Sequence, residues 1–296
     1  MISLDPKKVN SSEFHSYMVS AVAPRPIAFA STVDKEGNPN LSPFSFFNIF
    51  SAKPPIAVFS PSRSGRTGAT KNTYDNLKEV PEVVINVVNY ELVQQASLSS
   101  TEYAKGINEF TKTGLSPLPS VLIKPFRVKE SPVQMECRIQ QIIELGQEGG
   151  AGNLIICEIL MMHISEGILD ANRRIDPRKI DLVGRMGANY YCRTTGEALF
   201  EVEKPLVKIG IGVDQIPDKI RLSRVLTGNN LGQLGNVEKL PELFEINEFR
   251  KEALEDIFRK FDTDKTALKR ELHLKAKEYL DRGEVMSGWK TLLAEG

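Results

Sequence analysis

Between Gln134 and Gly167 the chain carries two long β-prone runs, QMECRIQQIIELG and NLIICEILMMHISEG, separated only by the polar, glycine-bearing stretch 147–152. Runs of that length joined so tightly form an antiparallel hairpin, because a parallel pair needs a crossover of a dozen residues or more. The region from Ile27 to about Thr195 repeats the habit on a smaller scale. IAFASTV (Ile27 to Val33) is followed by the charged hairpin loop Asp34 to Asn38 and a return strand toward Ser45. IAVFS (Ile56 to Ser60) and VVINVV (Val83 to Val88) are continuous apolar runs, the pattern of strands covered on both faces. Short helices are predicted at about Thr73 to Glu79 and Glu91 to Ser100, so most strands lack the long helical crossovers of a parallel sheet. The spacing points to an antiparallel barrel or sandwich.

After Gly196 the texture changes. Glu248 to Phe261 places Phe249, Ala253, Leu254, Ile257, Phe258 and Phe261 on one helical face, and Thr266 to Leu280 repeats the period with Leu268, Leu272, Ala276 and Tyr279. Residues 1–195 therefore read as a mainly β domain with some helix, and 196–296 as a helical C-terminal extension of two or three amphipathic helices. Trp289, the lone tryptophan, is expected to anchor the last of them.

Composition excludes several function classes. Lys plus Arg equals Asp plus Glu at 38 each, so no overall field favours nucleic acid or an anionic membrane. The N-terminus has no apolar core of signal-peptide length, and the most apolar run, Leu154 to Met162, is far short of the roughly 20 residues that span a bilayer. A soluble, cytoplasmic protein is expected. Cys137, Cys157 and Cys192 lie far apart without a CxxC and read as buried reduced thiols. His15, His163 and His273 cannot assemble a metal site by spacing.

The stretch SRSGRTGATKNTYDN (Ser62 to Asn76) packs Arg63, Arg66 and Lys71 among glycines and hydroxyl residues. It approaches a P-loop from Gly65 to Asn72 but has Thr70 for the second glycine and Asn72 for the magnesium-binding Ser or Thr, which argues against a triphosphate site. Its chemistry still suits an anion: backbone amides, the Lys71 charge, the Arg66 fork and the positive end of a helix starting near Thr73 all converge. A solvated basic loop is the other reading. GIGVDQ (Gly210 to Gln215) lacks the third glycine of a dinucleotide fingerprint, and Asp262 to His273 lacks the glycine and closing glutamate of an EF-hand.

Several segments, in order, then form a pattern. Ala23-Pro24-Arg25-Pro26-Ile27 leads into Ala30-Ser31-Thr32, and Ser42-Pro43-Phe44-Ser45-Phe46-Phe47-Asn48 precedes Lys53-Pro54-Pro55. KNTYDN and VVINVV follow, then Glu109-Phe110, Gly114 to Pro117, Glu130 to Pro132, Glu136-Cys137, His163 to Pro177, and Gly184-Arg185-Met186-Gly187 with Tyr190-Tyr191. Over about residues 15–195 this resembles the flavin reductase family of FMN-binding split-barrel proteins, flavoredoxin-like members included.

The resemblance implies a split β-barrel, a homodimer and an FMN site. Ser31 and Thr32 would meet the polar edge of the isoalloxazine. Ser45, Phe46, Phe47 and Asn48 would lie along the ring and ribityl chain, although two adjacent phenylalanines face opposite ways and only one can touch flavin. Lys71 and Thr73, with Asn72 between them and Arg66 as a third contributor, would hold the phosphate. Relatives commonly carry an Asp where Asn72 stands, and its loss leaves the site more positive. Arg63 reads as a surface charge. His163 and Arg185 lie where relatives meet nicotinamide or the second subunit, so the catalytic candidates are His163 there and Thr32 at the flavin's polar edge. The implied reaction takes hydride from NADH or NADPH to flavin, with onward transfer to free flavin, an oxygenase partner or another acceptor. A flavoredoxin-like electron carrier, an oxidase of the pyridoxamine phosphate type and a non-enzymatic flavin-binding module are the alternatives.

Overall fold

The computed structural model describes residues 1–295. Two compact units divide the chain, Met1–Phe200 and the remainder from Glu201. In the first, helix α1 (Ser11–Ala21) precedes β1 (Ala28–Val33), β2 (Pro39–Phe44), β3 (Phe47–Ala52) and β4 (Pro55–Phe59). Helix α2 (Asn72–Glu79) and β5 (Glu82–Val87) follow, then α3 (Val93–Leu98), α4 (Glu109–Thr113) and the two-residue strands β6 (Pro117–Leu118) and β7 (Arg127–Val128). The long hairpin is β8 (Val133–Glu144) with β9 (Asn153–Ile164), and a short one pairs β10 (Val183–Arg185) with β11 (Tyr191–Arg193).

The main sheet runs β2-β1-β5-β8-β9-β4-β3, every neighbouring pair antiparallel. Its two end strands, β2 and β3, are consecutive in sequence and joined by Ser45 and Phe46 alone. Laid flat, seven strands at about 4.8 Å spacing would put those ends roughly 29 Å apart. Three residue steps reach only about 11 Å. The sheet therefore curls until its ends meet, which makes it a barrel rather than a sandwich and puts its split at Ser45-Phe46. Register shifts in the β8–β9 hairpin, at Glu136/Cys137 and Ile139/Gln141, supply local bends for that curvature.

β1 is buried throughout because both its faces are covered. Ala28 and Ala30 join Val83, Ile85, Met135 and Cys157 in the inner core, to which α2 adds Tyr74 and Leu77. Phe29 points the other way, into a cluster with Leu41, Leu92 and Phe110. Cys137 and Cys157 are buried as expected, but Cys192 is only half-buried, since β11 belongs to a small hairpin outside the barrel sheet.

The second unit holds α5 (Asp218–Arg221), α6 (Gly228–Gly235), α7 (Leu243–Phe249), α8 (Glu255–Lys260), α9 (Lys265–Asp281) and α10 (Val285–Leu293). The single helix expected over 248–261 is α7 and α8 joined by a π-helical turn at Arg250–Leu254. The apolar stripe survives that insertion, for Phe249, Ile257 and Phe258 pack with Ile246, Leu254, Leu272 and Leu268. Trp289 is fully buried in α10, and its indole N–H donates to the Leu234 carbonyl at 3.0 Å. Among the described residues, no helix is long and apolar enough to cross a membrane.

His273, buried on α9, makes this unit pH-sensitive. The Ser223 Oγ accepts from the amides of Val225 (3.1 Å) and Leu226 (3.3 Å), so its proton goes to His273 Nδ1 at 2.6 Å. That bond needs a neutral ring, and burial, then the charge of Lys269, holds the His273 pKa below its ordinary value. A depressed histidine pKa means the unfolded chain takes up the proton first. Stability is therefore full above about pH 6.5 and falls as the solution is acidified below it. Far-UV circular dichroism melts of the full chain should show a transition that drops in midpoint between pH 7.5 and 5.5, with the drop reduced in His273→Gln.

Candidate functional site at the barrel split

The loop from Ser62 to Lys71 is folded tightly on itself, with Ser64 N bonded to Ala69 O and Gly68 N to Ser64 O, both at 2.8 Å. Gly68 takes φ 71°, a left-handed conformation that favours glycine. The tip of the β8–β9 hairpin closes over the loop through Arg63 N to Ala151 O (2.8 Å) and Gly150 N to Arg63 O (3.1 Å). A Cβ on Gly149 would stand 3.0 Å from the Ser64 carbonyl, tight enough that a larger residue would have to push the loop back.

Arg63 is consequently not a surface charge. Its side chain is 14% exposed and reaches Gln147 Oε1 at 2.9 Å and Glu144 Oε2 at 3.6 Å. Its Nε is buried without a partner. Glu144 gathers Tyr74, Gln147 and Lys78, which together hold its pKa down to about 2, so it stays ionised beside Arg63.

Lys71 is the N-cap of α2, and no side chain caps the helix, so the first-turn amides face the loop unsatisfied by any capping group. The Lys71 Nζ lies 2.7 Å from Glu102 Oε1, and Arg66 Nη2 lies 3.5 Å from Glu102 Oε2. Lys71, and behind it Arg66, hold the Glu102 carboxyl below the usual carboxylate range.

Lys71 and Arg63, with Glu102 beside them, line one end of a groove of about 330 Å³ whose other wall is the split itself, with Ser42, Ser45 and Phe46, and Arg66 stands outside that lining. Phe46 is 42% exposed and meets His15 of α1 edge-on, 6.2 Å between ring centroids. Phe47 turns the opposite way and packs on the inner core. Asn48 is exposed on β3, its Oδ1 accepting from Ile49 N at 2.8 Å. Arg25, only 8% exposed, anchors the split: its Nε points at Ser45 Oγ (3.4 Å), while its Nη atoms bind the carbonyls of Val19, Val22 and Met186.

The remaining candidates lie elsewhere. Ser31, Thr32 and Thr73 are buried. Thr32 Oγ1 accepts from Asn76 Nδ2 (3.1 Å), and Asn40 Nδ2 binds Thr73 Oγ1 (2.8 Å), a network that pins the start of α2 to β1 and β2. The Ser31 hydroxyl has no partner. Asn72 is half-buried as the first residue of α2. His163 Nε2 is 2.8 Å from Glu136 Oε1 and lines neither this groove nor a second one. Arg185 lines that second groove. The fold thus gathers Ser45, Phe46, Lys71 and the rim charge of Arg66, and sets His163 and Arg185 apart. Arg63 and Glu102, which line the groove, and Arg25, which braces Ser45 behind it, were not among the candidates read from sequence. Only Arg25 carries a local signal, its place between two prolines.

Known proteins can now be set beside this geometry. The family model described as "Flavin reductase like domain" matches residues 20–179, more than half of the chain. The chain belongs to the flavin reductase like family. An uncharacterized protein of Aquifex aeolicus is 31% identical over 196 residues, covering 66% of this chain and 97% of its own. Among solved structures, nitrilotriacetate monooxygenase component B from Bacillus cereus is similar with a TM-score of 0.63 and 28% identity, over 68% of this chain and 98% of that one. A split barrel domain protein of Shewanella frigidimarina NCIMB 400 follows at 0.57 and 25%, over 67% and 95%. The flavin reductase like barrel of this chain is therefore a split barrel with helices. The matched family segment ends before its helical second unit begins.

Proposed function

We propose that this flavin reductase like chain is an FMN-binding oxidoreductase that uses NADH or NADPH as its donor. The observation that carries this reading is the groove at the split, which joins a cationic, amide-rich end to a strip of serine hydroxyls and one aromatic face. In this reading Lys71, the amides of Asn72 and Thr73, and Arg66 hold the terminal phosphate, with Arg63 behind them. Ser45, Phe46 and Asn48 line the ribityl chain and one ring face. Phe47 backs that strip from the core. Ser31 and Thr32, buried on β1 outside the groove lining, back the site rather than face it. When bound, FMN supplies a ring nitrogen able to accept hydride from nicotinamide. What the protein contributes is binding, orientation and exclusion of water, so no strong acid or base is needed. Thr32 acts as a positioning residue, holding α2 through Asn76, while His163 pairs with Glu136 outside the groove.

A homodimer belongs to the same reading. Directly after Phe46, the end strand β3 leaves Ile49 and Phe50 exposed, an apolar edge that a second copy would cover. Onward transfer to free flavin, an oxygenase partner or another acceptor completes the cycle, and similarity to a monooxygenase component B supports the oxygenase option. The test is the visible spectrum of the protein loaded with FMN, followed by anaerobic titration with each nucleotide. We expect saturable FMN uptake and stoichiometric bleaching by NADH or NADPH. Tightly held flavin that neither nucleotide reduces would leave an electron carrier instead, and a chain that takes up no FMN would overturn the reading.

A further inference from the structure

A second groove, of about 360 Å³, lies between α3 and the β10–β11 hairpin and shares no lining residue with the first. Two guanidinium groups border it, each stacked on a tyrosine: Arg193 is 3.7 Å from the centroid of Tyr90, and Arg185 is 4.7 Å from that of Tyr191. The two differ in charge balance. Arg193 is neutralised by a two-pronged pair with Asp181, 2.7 Å on both prongs. Arg185 meets the Tyr190 carbonyl at 3.2 Å and the Tyr191 ring, neither of which carries a charge.

Arg25 stands directly behind Arg185. The two backbones exchange hydrogen bonds, Arg25 N to Arg185 O at 2.9 Å and Arg185 N to Arg25 O at 2.8 Å. The fold enforces this approach, since a Cβ on Gly184 would lie 2.7 Å from Pro24 Cβ and one on Gly187 would collide with Ser20. The partners of the Arg25 guanidinium are carbonyls and a hydroxyl, again uncharged. Burial, then the Arg185 charge, holds the Arg25 pKa below the ordinary arginine value. Two like charges thus share a half-buried corner in which each is bound by neutral groups, and a ligand anion would relieve that repulsion.

We propose that this groove binds a small planar aromatic carboxylate. The carboxylate engages the open edge of the Arg185 fork, and the ring lies along the guanidinium–tyrosine stacks. Charge selects an anion, the fork selects a planar two-oxygen group, and the flat cationic and aromatic faces select a ring. Gln94, Ser97 and Asn189 offer neutral polar groups to ring substituents. The ligand would touch no residue of the first groove's lining, and Arg25, which braces Ser45 there, lies behind Arg185 rather than in this groove.

Isothermal titration of the full chain with benzoate, and with benzamide as its uncharged isostere, tests it. Saturable benzoate binding is expected, weaker by about tenfold or more for benzamide and for Arg185→Gln. Ser97 is exposed on α3, so Ser97→Trp fills the groove without touching the core and should abolish binding even if Arg185→Gln folds poorly. Lys71→Ala should leave benzoate affinity unchanged. Equal affinity for benzoate and benzamide, binding that survives Ser97→Trp, binding lost with Lys71→Ala, or no binding at millimolar benzoate would each overturn the proposal.

Discussion

Replacing Lys71 by alanine should weaken FMN binding by roughly 10- to 100-fold at neutral pH, the equivalent of a charge-assisted hydrogen bond of about 1.5–3 kcal/mol. Two losses combine in that variant. The ammonium that would meet the phosphate is removed, and Glu102, now 2.7 Å from it, is left to repel the incoming anion. Riboflavin, which has no phosphate, is the internal control, and its affinity should change little. Fluorescence titration of both flavins separates the outcomes: an unchanged FMN affinity would take Lys71 out of the phosphate site. Arg66→Ala should cost less, because Arg66 is solvated and its contact with Glu102 is longer at 3.5 Å.

The largest effect on folding is expected from Glu136. Its carboxylate is fully buried and accepts from Val121 N (2.8 Å), Leu122 N (2.7 Å) and His163 Nε2 (2.8 Å). Glu136→Ala removes a fully buried acceptor from three donors and should destabilise the barrel unit by roughly 2–4 kcal/mol. Glu136→Gln, which keeps the shape and one acceptor, should lose less, and His163→Ala less again. Burial alone would raise the Glu136 pKa, but the two amides and His163 outweigh it and leave the pKa below its ordinary value. A depressed carboxyl pKa places this contribution above about pH 4.3, and it is lost on further acidification. Urea unfolding followed by far-UV circular dichroism is the measurement, since the lone tryptophan lies in the other unit. A loss below about 1 kcal/mol for Glu136→Ala would show that water satisfies the stranded amides.

The barrel was legible because its strands are marked locally. The long hairpin, the covered run at Val83 and the turn at Asp34 each carry their own period or turn chemistry, and the structure places strands at the first two and the β1–β2 turn at the third. The strand pattern alone left barrel and sandwich open, since that choice rests on which strands are end strands; the family resemblance pointed to the split barrel, and the strand order bears it out. The helical unit was only partly legible. α5 spans four residues and α6 eight, too short for a 3.6-residue period to emerge, and the π turn at Arg250–Leu254 shifts the phase of the one expected over 248–261. Within the site, Lys71 announced itself by its place before a helix. Arg63 and Arg66 were indistinguishable in sequence, because only the remote tip at 147–152 decides which of them is drawn inward.

Ser45 and Phe46 both close the barrel and line the groove. Occupancy and folding are therefore thermodynamically linked at those two residues. A molecule held in the groove adds to the unfolding free energy of this unit by an amount that grows with the logarithm of its concentration over Kd. Loss of the ligand would likewise be felt first where the sheet's two ends meet, so the supply of cofactor in the surrounding solution would set how firmly the barrel stays shut.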